Sequence, residues 1–172
     1  MSKFKPNVIT TNRLVLKSIT ENDRVTMIDF FVDKEITKTY MIPDFSCDEE
    51  KNRLFDRFVI LSNNIERFVY GIYLEGQIIG FLNDVFASEE EIELGYVIGP
   101  KFKNNGYATE VLFASINELF SMGYDAVRAG AFTENKASIR VMEKCKMTKL
   151  LEEESINYKN EIKQCVIYEI RK

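Results

Sequence analysis

The chain has 172 residues, a length typical of one domain. Its 23 basic and 27 acidic residues give a net charge of −4, which argues against bulk binding of nucleic acid, since such binding needs a cationic surface. Histidine is absent. That excludes histidine-activated nucleophiles and histidine-ligated zinc sites, so any general base must be a carboxylate, an amine, a tyrosine or water.

The three cysteines, Cys47, Cys145 and Cys165, are far apart and odd in number. They fit neither a disulfide framework nor a zinc knuckle, so we expect no metal site and a reduced, cytoplasmic setting. The N-terminus lacks the apolar core of a signal peptide, and no apolar run is long enough to span a membrane. We expect Cys145 to be a small buried residue and not a nucleophile.

The first third of the chain predicts one strand and two helices. Alternating polar and apolar residues indicate a strand over Arg13–Lys17. Capping boxes predict helices over Thr20–Asp33 and Ser46–Asn64. The segment Lys34–Phe45 is expected to be a loop, because its periodicity is weak and it contains Pro43.

The rest of the chain predicts six strands and two helices. The strands are Phe68–Leu74, Gln77–Phe86, Ile92–Ile98, Asp125–Phe132, Lys149–Asn157 and Glu161–Ile170. One helix follows Gly106, and another covers Asn135–Lys146. The order βααβββαβαββ predicts an α+β fold, with a mixed sheet covered by helices, in a single domain spanning residues 1–172.

The segment Tyr96–Thr109 carries the clearest chemical signal. A strand ends at a Gly-Pro turn, a loop with Lys101 and Lys103 follows, and Gly106 precedes an amphipathic helix. Free N–H groups in the first turn of a helix, together with the helix dipole, form an anion site suited to phosphate or pyrophosphate. An ordinary loop with solvated lysines fits the same spacing.

Four motifs resemble a known family. Lys103–Ala108 is similar to the Q/R-x-x-G-x-G/A signature of the GNAT superfamily of acetyl-CoA-dependent N-acyltransferases. Asn135–Lys144 resembles the N-x-x-S-x-R-V-x-E-K element of its RimJ/RimL-like branch. Thr11–Leu16 and Glu93–Ile98 resemble the opening T-x-R-L-x-L and the E-x-G-Y strand of that branch. The resemblance covers essentially the whole chain in order.

The resemblance implies a mixed, mostly antiparallel sheet flanked by helices, with two strands splayed around acetyl-CoA. The strands ending at Ile98 and Phe132 would separate, and the pantetheine arm would lie between them. The residues implied in cofactor binding are Tyr96, Val97, Ile98, Lys103, Asn104, Asn105, Gly106, Tyr107, Ala108, Thr109, Asn135 and Ser138.

The catalytic positions depart from the family pattern. Met142 stands where many relatives carry a tyrosine acid, and Gly130 stands where some carry a carboxylate. Ser138 is then a candidate partner for the cofactor sulfur, although a packing role fits equally. Glu93 is the leading candidate for the base, acting through water. Glu91, on the same strand face, and Asp84, on the neighbouring strand, are alternatives.

The resemblance therefore implies a cytoplasmic N-acetyltransferase that moves an acetyl group from acetyl-CoA to a primary amine. The branch favours a protein N-terminal α-amine. A polyamine, amino acid or aminoglycoside is an alternative acceptor. Tyr40 and Phe45 would cover the acceptor groove. A non-catalytic acyl-CoA-binding module and a nucleotide-phosphate binder are rival functions. The expected assembly is a monomer or homodimer, with neither nucleic acid nor membrane as partner.

Overall fold

The computed structural model describes residues 3–172 and contains five α-helices and eight strands. The helices are α1 (Arg24–Val32), α2 (Lys34–Thr39), α3 (Asp48–Asn63), α4 (Tyr107–Ser121) and α5 (Lys136–Lys144). The strands are β1 (Val8–Thr10), β2 (Leu14–Lys17), β3 (Tyr70–Leu74), β4 (Gln77–Ala87), β5 (Glu91–Ile98), β6 (Ala126–Phe132), β7 (Thr148–Tyr158) and β8 (Glu161–Arg171).

All eight strands belong to one sheet, in the order β1-β2-β3-β4-β5-β6-β8-β7. Only the β5–β6 pair is parallel, so the predicted α+β class and the mostly antiparallel sheet are confirmed. The β3–β4 hairpin turns at Glu75 and Gly76, whose φ angles are 48° and 86°. Two consecutive positive φ angles are typical of a tight hairpin turn.

The prediction of a loop over Lys34–Phe45 is wrong in its first half, which forms α2. The Asp33 carboxylate accepts hydrogen bonds from the N–H groups of Glu35 and Ile36 at 2.9 and 3.0 Å. Ile36 is buried against the helical core. A side-chain cap and one buried residue therefore stabilise a helix too short to show apolar periodicity.

The two helices predicted to begin at Thr20 and Ser46 begin later in the structure. The Asp23 carboxylate bonds the Thr20 N–H as predicted, but the first turn is a 3₁₀ turn and α1 begins at Arg24. Helix α3 begins at Asp48, and Glu50, not Glu49, accepts a bond from the Ser46 N–H. The three-residue strand β1 was not predicted, since it is too short to show alternation.

Two apolar cores lie on opposite faces of the sheet. One packs α4 and α5 against the strands, and the other packs α1, α2 and α3. Because side chains alternate along a strand, β5 contributes to both: Leu94 and Ile98 belong to the α4–α5 side, and Val97 belongs to the α1–α3 side. Strand β5 thus places neighbouring residues on the two faces.

Strands β5 and β6 pair only at one end. Their register runs from Glu91 beside Ala126 to Leu94 beside Ala129 and then stops. Beyond that point residues 95–98 pair only with β4, whereas residues 130–132 pair only with β8. The two strands therefore separate after Leu94, which confirms the predicted splay.

Candidate active site

Two cavities meet where β5 and β6 separate. The first, about 480 Å³, lies along the first turns of α4 and α5 and is called here the α4–α5 cleft. The second, about 410 Å³, lies beneath α2, α3 and the β7–β8 hairpin and is called the α3 cavity. Both are lined by Thr39, Tyr40, Gly95 and Gly130. A molecule in one cavity can therefore meet a molecule in the other at this junction.

The predicted cofactor residues line the α4–α5 cleft with one exception, Asn105. Its side-chain amide donates back to the carbonyls of Phe102 and Lys103 at 3.1 and 3.0 Å, which fixes the loop. Asn104 has a φ of 64° and Gly106 a φ of 80°. Asn104 suits this left-handed backbone, since Asn adopts the region more readily than most residues.

The first turn of α4 presents free N–H groups to the cleft. Gly106 has no side chain to cap the helix, and its carbonyl accepts the first helical bond from Glu110. The N–H groups of residues 107–109 therefore have no partner within the helix. Open N–H groups and the positive end of a fifteen-residue helix make this turn an anion site.

The N-terminal T-x-R-L-x-L motif contacts the first turn of α4. Arg13 forms an ion pair of 2.7 Å with Glu110, donates to the Asn105 carbonyl at 3.0 Å and lies over the Tyr107 ring. The Thr11 hydroxyl also donates to Glu110, at 2.6 Å. The T-x-R-L-x-L element thus stabilises the loop and the first turn of α4 that form the anion site, a role that the sequence did not reveal.

Basic side chains surround the cleft. Lys103 is held in an exposed ion pair of 3.1 Å with Glu35 of α2. Arg140 and Lys144 of α5 also line the cleft, and sequence reasoning did not single them out. Their spacing of four residues, about one helical turn, is the signal in the sequence that could have placed them on one face. The cleft therefore combines helix N–H groups and cations, as a polyphosphate ligand requires.

A hydroxyl pair forms part of the cleft wall. The Tyr96 phenol and the Ser138 hydroxyl lie 2.8 Å apart. Asn135 caps α5, because its side-chain oxygen accepts from the Ser138 N–H at 3.1 Å. Burial raises the pKa of Tyr96 above its usual range. Met142 is fully buried in the core on the α4–α5 side and has no proton to donate.

Glu93 lines the α3 cavity at the junction. Its Oε1 lies 3.2 Å from the position that a β-carbon on Gly130 would occupy. Burial raises the pKa of Glu93, and the nearby Glu154 carboxylate raises it further, while Arg128 opposes them. A half-buried carboxylate with a raised pKa is a stronger base than a solvated glutamate.

The two alternative bases are held by arginines. Glu91 forms an ion pair of 2.9 Å with Arg128, and Asp84 forms one of 2.8 Å with Arg67. Asp84 lines the α3 cavity but also accepts from the Phe68 N–H, so its oxygens are engaged. Within residues 3–172 Glu93 forms no ion pair, and the same holds for Glu154, which lines the same cavity.

The walls of the α3 cavity come from distant parts of the chain. Aromatic and aliphatic side chains form most of the lining, with Arg57 of α3 and Glu154 of β7 among the charged groups. Tyr40 lines both cavities and donates to the Asn83 side chain at 2.5 Å, whereas Phe45 packs into the α1–α3 core. The sequence did not place Arg57 or Glu154 here.

Cys145 lies in the buried core on the α4–α5 side. Cys145 is 1% exposed, its thiol donates to the Thr109 carbonyl at 3.5 Å, and burial raises its pKa to about 11. The prediction that it is a small buried residue is confirmed. Residues 3–172 contain no cluster of acidic or cysteine side chains placed to hold a metal ion.

The family model described as an acetyltransferase (GNAT) domain matches residues 13–148. The chain belongs to the GNAT acetyltransferase family. The match includes β2, the separating strands β5 and β6, the first turn of α4 and the whole of α5. Membership confirms the predicted enzyme class, an N-acyltransferase that uses acetyl-CoA as its acyl donor.

Two relatives from bacilli illustrate the similarity. The N-acetyltransferase YoaA of Bacillus subtilis is 27% identical over 140 residues, which cover 78% of this chain and 79% of the relative. A GNAT-family acetyltransferase of Bacillus anthracis has a TM-score of 0.80 at 26% identity, covering 95% of this chain and 98% of that one.

The fold also matches the RimL type. The Salmonella typhimurium acetyltransferase that modifies the N-terminal serine of ribosomal protein L7/L12 has a TM-score of 0.79 at 14% identity, covering 96% of this chain and 99% of that one. At this identity the similarity concerns the fold. It agrees with the RimJ/RimL-like resemblance of the four motifs.

Proposed function

We propose that this acetyltransferase transfers the acetyl group of acetyl-CoA to a protein N-terminal α-amine, with Glu93 as the base. The observation that carries the proposal is the meeting of two cavities at Gly95 and Gly130, with the Glu93 carboxylate beside the junction. One cavity has the features of a polyphosphate site, and the other is a largely apolar space with several charged side chains, among them Glu93 at the junction.

The α4–α5 cleft fits coenzyme A. Its anion turn and the cations Lys103, Arg140 and Lys144 suit the pyrophosphate and phosphate groups. Over residues 95–98 the edge of β5 opposite β4 has no strand partner within residues 3–172, so its backbone groups are available to the amides of the pantetheine arm. The arm then leads the thioester to the junction.

The chemistry at the junction follows from these positions. Glu93 attracts the acceptor ammonium and takes one proton from it, directly or through water. The neutral nitrogen attacks the thioester carbonyl carbon, a C–N bond forms, and the C–S bond breaks. The sulfur leaves as a thiolate and receives the second proton, which the nitrogen loses as the amide forms, while the first proton passes from Glu93 to water. Ser138 is the polar group of the α4–α5 cleft that we assign to the sulfur.

The preference for an N-terminal α-amine rests on similarity and on cavity chemistry. Solved structures of the RimL type are described as α-N-acetyltransferases of ribosomal protein L7/L12. The α3 cavity is largely apolar, and its charged lining residues are the acidic Asp84, Glu93 and Glu154 and the basic Arg57 and Arg67. Such a lining suits a cationic amine attached to a larger body. We also place the protein in the cytoplasm, where Cys47 and the two buried cysteines stay reduced.

An acceptor panel tests the proposal. Thiol release from acetyl-CoA is measured with peptides that carry a free N-terminus, with the same peptides blocked at the N-terminus, and with polyamines, amino acids and aminoglycosides. We expect turnover with free N-termini and one added acetyl group, located on the α-amine by mass spectrometry. Blocked peptides serve as matched controls.

Three other results would contradict the proposal at different levels. Turnover with small amines alone would replace the acceptor while keeping the enzyme. Thermal stabilisation by coenzyme A without turnover on any amine would indicate an acyl-CoA-binding module. Stabilisation by ATP and not by coenzyme A would indicate a nucleotide-phosphate binder.

A further inference from the structure

The Tyr96 phenol and the Ser138 hydroxyl form a pair in the wall of the α4–α5 cleft. Tyr96 follows Gly95, the residue where β5 leaves β6, and Ser138 lies in the first turn of α5. Their hydroxyl oxygens are 2.8 Å apart in the wall of the α4–α5 cleft. Two hydroxyl groups from separate elements are thus fixed together close to the junction.

The acidity of the two groups sets the direction of the hydrogen bond. A phenol is a much stronger acid than an aliphatic alcohol, so the phenol is the better donor. Its nearer acceptor is the serine Oγ at 2.8 Å, since the Ser138 carbonyl oxygen lies 3.4 Å away. Within residues 3–172 the Ser138 Oγ has no other side-chain partner. Its own proton is therefore free for an acceptor inside the cleft.

The surroundings keep Tyr96 a donor. Burial raises its pKa, so the phenol stays protonated throughout the range in which the enzyme is assayed. The other titratable groups nearby are the buried Cys145 thiol and the cations Arg140 and Lys144 of α5. None of these is bonded to the pair, so the phenol alone orients the serine.

We propose that Tyr96 is a positioning residue: its phenol orients the Ser138 hydroxyl so that serine donates a hydrogen bond to the coenzyme A sulfur as the C–S bond breaks. This inference rests on the proposed function, which places the sulfur at the junction. Neither hydroxyl needs to lose its proton, since a donated hydrogen bond stabilises the departing thiolate. The pair thereby takes the place of the tyrosine that Met142 replaces.

The thiol of bound coenzyme A reports this hydrogen bond without any acceptor amine. Its pKa is measured from the ultraviolet absorbance of the thiolate in wild type, Tyr96→Phe, Ser138→Ala and the double variant. A donor to sulfur favours the thiolate, so we expect the thiol pKa to rise by about one unit in each single variant. The double variant should resemble Ser138→Ala. Tyr124→Phe, a buried tyrosine of the same core outside the cleft, is the matched control.

Steady-state kinetics give a second readout. In Tyr96→Phe we expect kcat to fall about tenfold, the effect of one lost hydrogen bond in the transition state, with KM for acetyl-CoA unchanged within about twofold. Thermal denaturation checks that each variant folds, and the phenylalanine keeps the ring packing.

Two outcomes would overturn the inference. One is a thiol pKa in Tyr96→Phe equal to that of wild type. The other is an equal loss from Tyr96→Phe with and without Ser138, which would show that tyrosine acts independently of serine. Failure of the wild type to bind coenzyme A would overturn the proposed function and this inference together. Binding with one thiol pKa in all variants would overturn the inference alone.

Discussion

At the scale of single residues, the raised pKa of Glu93 has a direct kinetic consequence. A glutamate in water titrates at about 4.3, and burial and the Glu154 charge move Glu93 upward from there. The base acts only when ionised. The acid limb of kcat/KM in the free enzyme should therefore lie above the usual range of a glutamate.

Removing the neighbouring charge moves this limb in a defined direction. In Glu154→Gln the carboxylate that opposes ionisation of Glu93 is gone, so the acid limb of the pH–rate profile should shift to lower pH. The plateau rate at alkaline pH should change little. Loss of the plateau rate in Glu154→Gln would instead make Glu154 the base.

Gly130 fixes the room available to Glu93. A β-carbon at this position would lie 3.2 Å from Glu93 Oε1 and 3.0 Å from Ile167 Cδ1, both tighter than ordinary contact. Gly130→Ala should displace the carboxylate by a few tenths of an ångström. We expect kcat to fall about tenfold with coenzyme A affinity unchanged, as measured by thiol release and calorimetry. Turnover equal to wild type would show that the carboxylate needs no fixed position.

Individual site residues could be predicted from the sequence only in part. Strand alternation and the motif placed Glu93 on β5, but the choice among Glu93, Glu91 and Asp84 depended on Arg128 and Arg67. These arginines lie on other strands or loops, and pairing at such distances in the chain leaves no local pattern. Glu154 was missed for the same reason.

At the scale of secondary-structure elements, α2 joins the anion loop through one exposed ion pair. Glu35 in the first turn of α2 holds Lys103 at 3.1 Å. Lys103 must turn from this carboxylate to contact a phosphate group. Glu35 therefore competes with the cofactor for the same cation.

Removing that competition should tighten cofactor binding. We expect Glu35→Gln to bind coenzyme A about two- to threefold more tightly, the size of an exposed ion pair. The gain should disappear in Lys103→Gln and shrink at high salt. Glu21→Gln, which breaks a comparable surface pair with Arg24 far from the cleft, is the control. Weaker binding in Glu35→Gln would mean that the glutamate orients Lys103 for the phosphate.

The elements that were predicted well are those with long periodic patterns. Helix α4 and the long hairpins repeat their apolar residues several times, which makes the period clear. Helix α2 has six residues and one buried side chain, and its stability comes from the Asp33 cap and from packing. A sequence pattern cannot show a helix that tertiary contacts select.

At the scale of the whole molecule, the C-terminal hairpin β7–β8 is hydrogen-bonded to α2 and to the segment that follows it. The Tyr158 hydroxyl donates to the Thr37 carbonyl at 2.7 Å and lies 3.0 Å from the Ile42 carbonyl. Its ring packs on Phe132 with centroids 5.7 Å apart. The hairpin thus holds the segment that carries Tyr40 into the α3 cavity.

Tyr158→Phe keeps the ring and removes the hydrogen bonds of the hydroxyl to the Thr37 and Ile42 carbonyls. We expect the free energy of unfolding to fall by about 1 kcal/mol and KM for the amine to rise, because the segment at Tyr40 loosens. Denaturant unfolding and steady-state kinetics measure both. Tyr168→Phe, which loses only a bond of 3.3 Å to Glu143, should leave KM for the amine unchanged. An unchanged amine KM in Tyr158→Phe would show that these hydrogen bonds stabilise the fold without affecting acceptor binding.

The order of the motifs was enough to predict the overall architecture, but it did not predict which residues line the α3 cavity. Strand β5, the anion turn and α5 are close in the chain and make the α4–α5 cleft, so their motifs also located it. The α3 cavity is assembled from α3, β4, β6 and the terminal hairpin. Its lining depends on the folded sheet, which is why Arg57 and Glu154 were found only in the structure.

The most direct test of the account is amine-dependent thiol release by Glu93→Gln at neutral pH, with coenzyme A affinity measured in parallel. Glutamine keeps the size of the side chain and cannot take the proton. We expect kcat to fall about a hundredfold, as for a lost general base, with cofactor affinity unchanged. Glu91→Gln, on the same face of β5, should keep most of the rate. Wild-type turnover in Glu93→Gln would contradict the account.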